Sequence, residues 1–218
     1  MAIDSESRLV LVVVPGPRDV EAVEQVVGET KKRTGGRILD LATSDEYPAY
    51  RTALLNAYGE EVATTATGRR SRKMIPERVP PPGMNYATVE KRRVKGRVVG
   101  IVTRVVFGTM AGVAAALARS TASRRINTSF VERQNATDRH HNARKARKTY
   151  TFSKDWAVHE AMTYFTIYSY NFCWPVRTLR APIGKGRWRQ RTPAMAAGLA
   201  DHVWSIRAWI TMSGVQRR

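Results

Sequence analysis

Three carboxylates stand where the predicted local structure changes. Asp4 follows a short apolar stub, Asp45 follows the strand-like run RILDLAT, and Glu132 is the only glutamate in the basic segment 123–154. Carboxylate oxygens are the ligands that Mg²⁺ prefers in proteins. Two such ions about 3.5–4 Å apart clamp the attacking and leaving oxygens of a phosphodiester. If the three side chains meet, the sequence therefore predicts a divalent-metal site for phosphodiester chemistry.

Each of these carboxylates also has a purely structural interpretation. Asp4 suits a turn before SES, Asp45 suits an N-cap of the helix that follows, and Ser129 with Glu132 forms a capping-box pattern. Such short patterns are common, so each acid taken singly fits the structural role. A cluster is different, because two carboxylates 4 Å apart repel by about 4 kcal/mol at an effective dielectric of 20. A fold that keeps such a cluster is expected to hold a cation in it.

The composition points to an anionic partner. The 218 residues include 37 Lys+Arg against 18 Asp+Glu, which gives a formal net charge of +19. Nucleic acid is the commonest partner of so basic a chain, and 43% hydrophobic residues are enough for a folded core. We therefore predict DNA as the partner. The charge alone leaves open a passive basic protein.

Three basic clusters are candidates for phosphate contact: RRSRK, KRRVKGR and KGRWRQR, at residues 69–73, 91–97 and 185–191. On this interpretation they bind the phosphates of the DNA backbone without sequence preference. The alternative is that they are solvated loops, as charge runs often are. Trp188, inside the third cluster, suits either stacking on an exposed base or packing in the core.

The apolar pattern of the first 60 residues predicts an α/β order. Residues 8–16 predict a strand covered on both faces, joined by a turn at DSES to a preceding strand stub. A helix follows, then the strand RILDLAT and a second helix that ends at Gly59. The apolar face of the first helix is predicted to contain Val20, Val23, Val27 and Thr30.

The rest of the chain predicts a basic, proline-rich stretch and then a mixture of strand and helix. A basic hairpin is expected around Lys95-Gly96, a short helix over 110–118, and helix through the basic segment. The tail is expected to contain a helix with Thr192 as N-cap and Pro193 at its first position. Between them a long helix is predicted to face the core with an aromatic stripe of Trp156, His159, Met162/Thr163, Thr166 and Tyr170.

The sequence predicts no membrane partner and a cytoplasmic protein. The apolar run at residues 110–118 is far too short to span a bilayer, and acids rather than basic residues precede the first apolar stretch. A single cysteine, Cys173, excludes an internal disulfide and a zinc site built from cysteines.

Several stretches, taken in order, resemble bacterial insertion-sequence transposases of the DDE type. The most specific are TSFVERQN and RTPAMAAGL; TSDEYPAY, AIDSESRLVLVVVPGPR, YNF with RTLR, and the basic run to TYTFSK add to them. The resemblance runs from about Ala2 to Trp204 and is weakest between Glu60 and Arg125. It implies an RNase H-like mixed sheet flanked by helices, with a basic β-hairpin insertion and a helical C-terminal extension.

The resemblance also implies a function and its residues. Asp4, Asp45 and Glu132 would be the catalytic residues and would bind Mg²⁺, for which Mn²⁺ could substitute. The reaction would be nicking at the transposon ends, followed by attack of the freed 3′-OH on target DNA, by a homo-oligomer when active. DNA contacts are predicted beside the glutamate and along the basic segment: Arg133, Asn135, Arg139, Arg144, Lys145 and Arg147.

The implied domains are a catalytic domain at 1–173, with its insertion at about 60–125, and a basic C-terminal loop with helices at 174–218. Relatives usually carry a DNA-binding region before the catalytic domain, and here only Met1–Ile3 precede Asp4. A truncated reading frame or a start further upstream is therefore expected. The alternatives are an inactive transposase remnant, a non-enzymatic basic nucleic-acid-binding protein, and a different RNase H-like nuclease.

Overall fold

A computed structural model describes residues 1–62, 77–146 and 148–212. The strands in these ranges are β1 (Ala2–Ile3), β2 (Val10–Val12), β3 (Ala42–Asp45), β4 (Glu60–Val62), β5 (Glu77–Val79), β6 (Tyr86–Val94), β7 (Arg97–Phe107), β8 (Ala181–Pro182) and β9 (Trp188–Arg189). The helices are α1 (Val20–Arg33), α2 (Ala49–Tyr58), α3 (Met110–Arg119), α4 (Ser129–His141), α5 (Trp156–Cys173), α6 (Pro193–Ala196) and α7 (Ile206–Thr211).

The chain divides into two compact units. Residues 1–15 and 129–218 form one, which we name the hairpin–helix unit, and residues 16–128 form the other, which we name the sheet unit. The mixture of helices with small mixed sheets confirms the predicted α/β class. The RNase H-like topology and the domain boundaries stay predictions.

The sheet unit is built on a three-stranded sheet in the order β3-β6-β7. Strand β3 pairs parallel to β6 and β7 pairs antiparallel to it, so Asp45 lies opposite Val89 at the end of the short parallel ladder. Helices α1 and α2 pack on each other, and their apolar side chains form one core with Tyr86 and Phe107. This core fixes the position at which β3 ends.

Local sequence signals explain the helix ends in the sheet unit. Asp19 caps α1 by accepting a hydrogen bond from the Ala22 N–H at 2.8 Å, and basic residues fill its last turn, where they oppose the helix dipole. Helix α2 ends before Gly59, as predicted. The predicted apolar face of α1 is wrong in one position: Val20 is 48% exposed, because the buried face begins one turn later, at Val23.

The predicted basic hairpin is confirmed as β6 and β7. Its turn has positive φ at both Lys95 (49°) and Gly96 (79°), the conformation of a two-residue type I′ turn, which matches the twist of paired strands. The inner ends of the strands are buried, whereas residues 92–99 are exposed. The outer half of this hairpin, residues 91–101, is named the basic arm.

The hairpin–helix unit is organised around α5. Strands β1 and β2 pair antiparallel through the turn at DSES, as predicted, and Val10 and Val13 pack against Ile167 and Tyr170. The Asn171 side chain accepts a hydrogen bond from the Val10 N–H at 3.0 Å and donates one to the Val10 carbonyl at 2.9 Å. The predicted strand over 8–16 is too long, because only Val10–Val12 is a strand. The Asn171 side chain forms the backbone hydrogen bonds of Val10 that a neighbouring strand was expected to form.

Two helix predictions in this unit need correction. The basic segment is not one continuous helix: the extended backbone of Asn142 ends α4, its side chain accepts from the Arg144 N–H at 3.1 Å, and a single 3₁₀ turn follows at Ala143–Lys145. The aromatic stripe of α5 does not begin at Trp156, which is 57% exposed; the buried face starts at Thr163. The first two turns of α5 therefore lie outside the core.

The tail begins as predicted. Thr192 is fully buried and accepts from the Met195 N–H at 3.2 Å, with Pro193 at the first position of α6. The helix is only one turn long, and the chain continues to α7, whose Trp209 is buried. Among the residues that the structure describes, no helix combines the length and apolarity needed to cross a membrane.

Candidate metal and nucleic-acid site

Asp4 lies in the tight turn between β1 and β2. Its Oδ1 accepts from the Glu6 N–H at 3.3 Å, and its Oδ2 accepts from the Ser7 N–H at 3.0 Å and from the Ser7 hydroxyl. These bonds are those of a turn-forming aspartate. A carboxylate has about four acceptor positions, so three hydrogen bonds do not exhaust it.

Asp45 is the last residue of β3 and its carboxylate is half-exposed. Its Oδ2 lies 2.5 Å from Arg18 Nη2, and its Oδ1 accepts from the Tyr47 N–H at 3.4 Å. The helix-cap interpretation of Asp45 is wrong, because Pro48 occupies the N-cap position of α2 without a side-chain cap. Asp45 is therefore bound by an arginine rather than by a helix terminus.

Glu132 lies in the first turn of α4, as the sequence predicts, and it is exposed. Helix α4 packs against β1, so Asp4 and Glu132 belong to the hairpin–helix unit, and Asp45 belongs to the sheet unit. Over residues 1–62, 77–146 and 148–212 no group of three or more His, Cys, Asp or Glu side chains is arranged to hold a metal ion. The three-carboxylate site stays a prediction.

The predicted DNA contacts on α4 separate onto two faces. At about 100° per residue, Glu132, Asn135 and Arg139 share one face through their i, i+3 and i+7 spacing. Arg133 lies on the adjacent face with Thr137 and His141, at i, i+4 and i+8. The residues beside the glutamate therefore do not form a single row.

The three basic residues predicted after α4 differ in setting. Arg144 is exposed. Lys145 lies 2.7 Å from the buried Asp138 carboxylate, and only 15% of its side chain is exposed, so its ammonium stabilises the end of α4. Arg147 lies outside the described residues, as do residues 69–73 of the RRSRK cluster.

A pocket of about 300 Å³ opens beside the second face of α4. We name it the arginine pocket. The β1–β2 turn contributes Arg8, α4 contributes Arg133, and the segment after α5 contributes Arg177. Sequence reasoning missed Arg8 and Arg177 as site residues. The i, i+4, i+8 spacing from Arg133 to His141 indicates one face of α4, but spacing alone does not show which other segments pack beside that face.

Burial and like charge perturb the pocket residues. Burial lowers the pKa of Arg8; the Glu6 carboxylate opposes this shift, and the Arg133 charge adds to it by a smaller amount. The Arg8 guanidinium lies 3.9 Å above the Phe130 ring centre and donates to the Ser5 carbonyl. Arg8 has a φ of 61°, in the left-handed region that non-glycine residues rarely adopt. Its backbone is thus held in an uncommon conformation beside the pocket.

His141 and Trp174 form the aromatic side of the pocket. Their ring centres lie 4.2 Å apart. Burial lowers the pKa of His141, with a smaller contribution from the charge of His140. The buried Nδ1 of His141 has no hydrogen-bond partner among the described residues. His141 therefore contributes ring packing to this side of the pocket rather than an accessible hydrogen-bonding group at Nδ1.

The third basic cluster carries a second aromatic surface. Trp188 in β9 is 48% exposed, and the Arg180 guanidinium lies 4.3 Å from its ring centre. The core-packing interpretation of Trp188 is therefore wrong. The stacking interpretation stays a prediction.

The chain matches no protein-family model, no curated protein and no solved structure.

Proposed function

We propose that the chain is the catalytic part of a DDE-type DNA transposase, with Asp4, Asp45 and Glu132 as its metal ligands. One observation supports this above the others. Asp4 directly follows β1, Asp45 ends β3, and Glu132 lies in the first turn of α4, so the acids lie at two strand ends and a helix start, where the sequence pattern predicts them. The RNase H-like topology is part of the same proposal.

The donor chemistry of the three acids fits Mg²⁺ or Mn²⁺. When bound, the metal supplies activation of the attacking oxygen and stabilisation of the leaving oxygen. Asp45 must first release Arg18, and an exposed ion pair of this kind contributes only about 0–1 kcal/mol. Asp4 can keep its turn hydrogen bonds and still offer an acceptor position.

Polar and basic side chains of α4 would position the DNA. Asn135 and Arg139 lie on the same face of α4 as Glu132, about one and two turns further along the helix, so they would contact the phosphates on one side of a bond held by the glutamate. The net charge of +19 would steer DNA toward the protein from a distance. An active enzyme of this type would hold two transposon ends, so we include a homo-oligomer in the proposal.

The deciding experiment is metal-dependent nicking of plasmid DNA. We expect Asp45→Asn to abolish nicking and to remove the rise in melting temperature that Mg²⁺ gives the wild type, because binding to the native state stabilises it. Asp40→Asn is the matched control, since Asp40 is an exposed acid of the same unit paired with Arg119 at 3.3 Å. Equal nicking by wild type and Asp45→Asn would refute the assignment.

Strand transfer separates a transposase from another RNase H-like nuclease. We expect joined products when a 3′-OH oligonucleotide is incubated with target plasmid and Mn²⁺. Nicking without joined products would identify a plain nuclease.

A second candidate is a non-enzymatic basic DNA-binding protein. The Arg18–Asp45 ion pair and the turn hydrogen bonds of Asp4 favour it, because both acids already have intramolecular partners. DNA binding that weakens steeply with salt, without any metal-dependent melting shift, would support this candidate.

A further inference from the structure

We propose that the arginine pocket binds one unpaired, phosphate-bearing nucleotide of a DNA strand. Arg8, Arg133 and Arg177 hold the phosphate, and the base stacks against Trp174. None of the three predicted metal ligands lines this pocket, so its occupancy requires no metal. The inference rests on the proposed function only for DNA as the source of the nucleotide.

The pocket has the size of a small-ligand site. Its volume of about 300 Å³ is at the lower end of the range for ligand pockets. The three arginines come from a turn, a helix and a later loop, so tertiary folding rather than a basic run in the sequence brings them together. Such convergence is what orients charged groups toward one ligand.

The lining of the pocket favours an anion, and the Glu6 and Asp4 carboxylates outside the lining offset only the charge of Arg8. Its lining contains three arginines and no carboxylate, and within the described part of the chain neither Arg133 nor Arg177 forms an ion pair. Like charges held close together are unfavourable unless a counter-charge arrives. Phosphate supplies that charge, and its oxygens match the fork of a guanidinium in a bidentate pair.

The aromatic side of the pocket selects a nucleotide over a bare phosphate. Trp174 is 45% exposed although its ring packs on His141, which leaves ring surface for a base to stack on. The His141 ring backs Trp174 on this side of the pocket, and its own Nδ1 is buried away from solvent. A base inside a duplex is already stacked, so the nucleotide must be unpaired or at a strand end.

The test is calorimetric titration with deoxythymidine 5′-monophosphate in EDTA. We expect Arg133→Gln and Arg177→Gln each to weaken binding roughly 10- to 100-fold, the usual loss for a charged hydrogen-bond pair. Arg207→Gln is the matched control, because Arg207 is an exposed arginine of α7 outside the pocket. We expect it to change binding less than about 2-fold, as for an exposed charge without a close partner.

Variants that misfold would be recognised by circular dichroism and melting. Arg133→Lys keeps the charge and loses the fork, so we expect it to fold and to bind with an intermediate affinity. Trp174→Leu should weaken binding of the nucleotide and leave binding of inorganic phosphate unchanged.

Four results would overturn the proposal. The first is that the monophosphate does not bind, and the second is that Arg207→Gln weakens binding as much as the pocket variants do. The third is that inorganic phosphate binds as tightly as the nucleotide and Trp174→Leu has no effect. The fourth is that a single-stranded oligonucleotide fails to compete, which would leave a free nucleotide as the ligand. If nicking fails while the nucleotide binds in EDTA, the transposase proposal is wrong and the pocket stands. If nicking persists without nucleotide binding, the reverse holds.

Discussion

The arginine pocket and the basic arm present similar charges in opposite settings. In the pocket, three arginines from distant parts of the chain line one cavity, and Arg8 lies over the Phe130 ring. In the arm, basic residues that are consecutive in sequence lie exposed at the end of a two-stranded ribbon. The pocket therefore depends on tertiary packing, whereas the arm depends on the pairing of two adjacent strands, with Arg92 lying 3.6 Å from Glu90 of the same strand.

The basic arm is an exposed two-stranded ribbon rather than a pocket, and under the proposed function it would lie in a groove of DNA. A two-stranded ribbon fits the major groove of DNA, and residues 91–97 supply five cations, at Lys91, Arg92, Arg93, Lys95 and Arg97. Of its exposed apolar residues, Val94 lies among these cations, and Val98, Val99 and Ile101 follow them. Such a surface can contact DNA broadly, but it has no cavity that selects one nucleotide.

The largest effect is expected at Asn171, which connects β2 to α5 beneath the pocket. Asn171→Ala leaves the buried N–H and carbonyl of Val10 without partners, which should lower the free energy of unfolding by roughly 2–5 kcal/mol. Denaturant unfolding would measure this loss, and nucleotide binding at the pocket should weaken with it.

The control for Asn171 is Asn56→Ala, an exposed asparagine of α2 in the sheet unit. We expect a change within about 0.5 kcal/mol there. If Asn171→Ala unfolds at the same denaturant concentration as the wild type, the pocket does not depend on the hydrogen bonds between Asn171 and Val10. The claim that the pocket depends on tertiary packing more than the arm does would then be unsupported.

The second effect concerns the salt dependence of DNA binding. Replacing Arg92, Arg93 and Arg97 together by Gln should make the log–log salt slope shallower by about 2.7, at about 0.9 per phosphate contact. Between 50 and 200 mM salt the variant should then lose about 40-fold less affinity than the wild type. Fluorescence anisotropy with duplex DNA measures both slopes.

The same triple variant should bind deoxythymidine 5′-monophosphate as the wild type does. Arg177→Gln should show the converse, with a slope shallower by about 1 at most and a large loss of nucleotide binding. Equal effects of the two variants in both assays would show that pocket and arm form one diffuse electrostatic surface.

A third effect, smaller again, concerns the turn of the arm. Gly96 has a φ of 79° with open space around it, so Gly96→Ala should cost about 1–2 kcal/mol for the left-handed backbone alone. Gly100→Ala is the control, because Gly100 has no positive φ and its added Cβ would meet Arg92 Cβ at an ordinary 4.0 Å. Denaturant unfolding should separate the two variants; equal stabilities would contradict the type I′ assignment.

The parts of the fold that could be predicted are those fixed by neighbouring residues. The turn at Lys95-Gly96, the end of α2 at Gly59 and the Thr192 cap each depend on backbone conformations within a few residues. Helical spacing also identified the two helices that carry most of the hairpin–helix unit. These features need no knowledge of the tertiary structure.

The parts that could not be predicted depend on what packs against each element. Spacing alone gave α5 an aromatic stripe, but the core covers the helix only from Thr163 onward, so Trp156 is exposed. Arg8 and Arg177 were overlooked because a turn and a loop have no periodicity that points toward α4. The ion pair between Arg18 and Asp45 likewise joins residues that no local pattern relates.

The smallest effect is a pH dependence that belongs to the pocket and not to the arm, which contains no histidine. Burial lowers the pKa of His141 below its ordinary value of about 6.5, His140 adds to the shift, and Asp138 opposes it. The unfolded state then binds a proton more readily, so this contribution to stability is complete above about pH 6.5 and is lost as the pH falls toward the native pKa.

His141→Gln should therefore flatten the dependence of the free energy of unfolding on pH between pH 7 and 5.5, measured by denaturant unfolding at each pH. His159→Gln, on α5 and outside the pocket, is the control and should keep the wild-type slope. A ligand phosphate near His141 would favour the protonated ring, so a saturating nucleotide should also reduce the slope in the wild type. A slope unchanged by His141→Gln would show that the ring is as solvated in the native state as in the unfolded chain, and would remove it from the pocket's aromatic side.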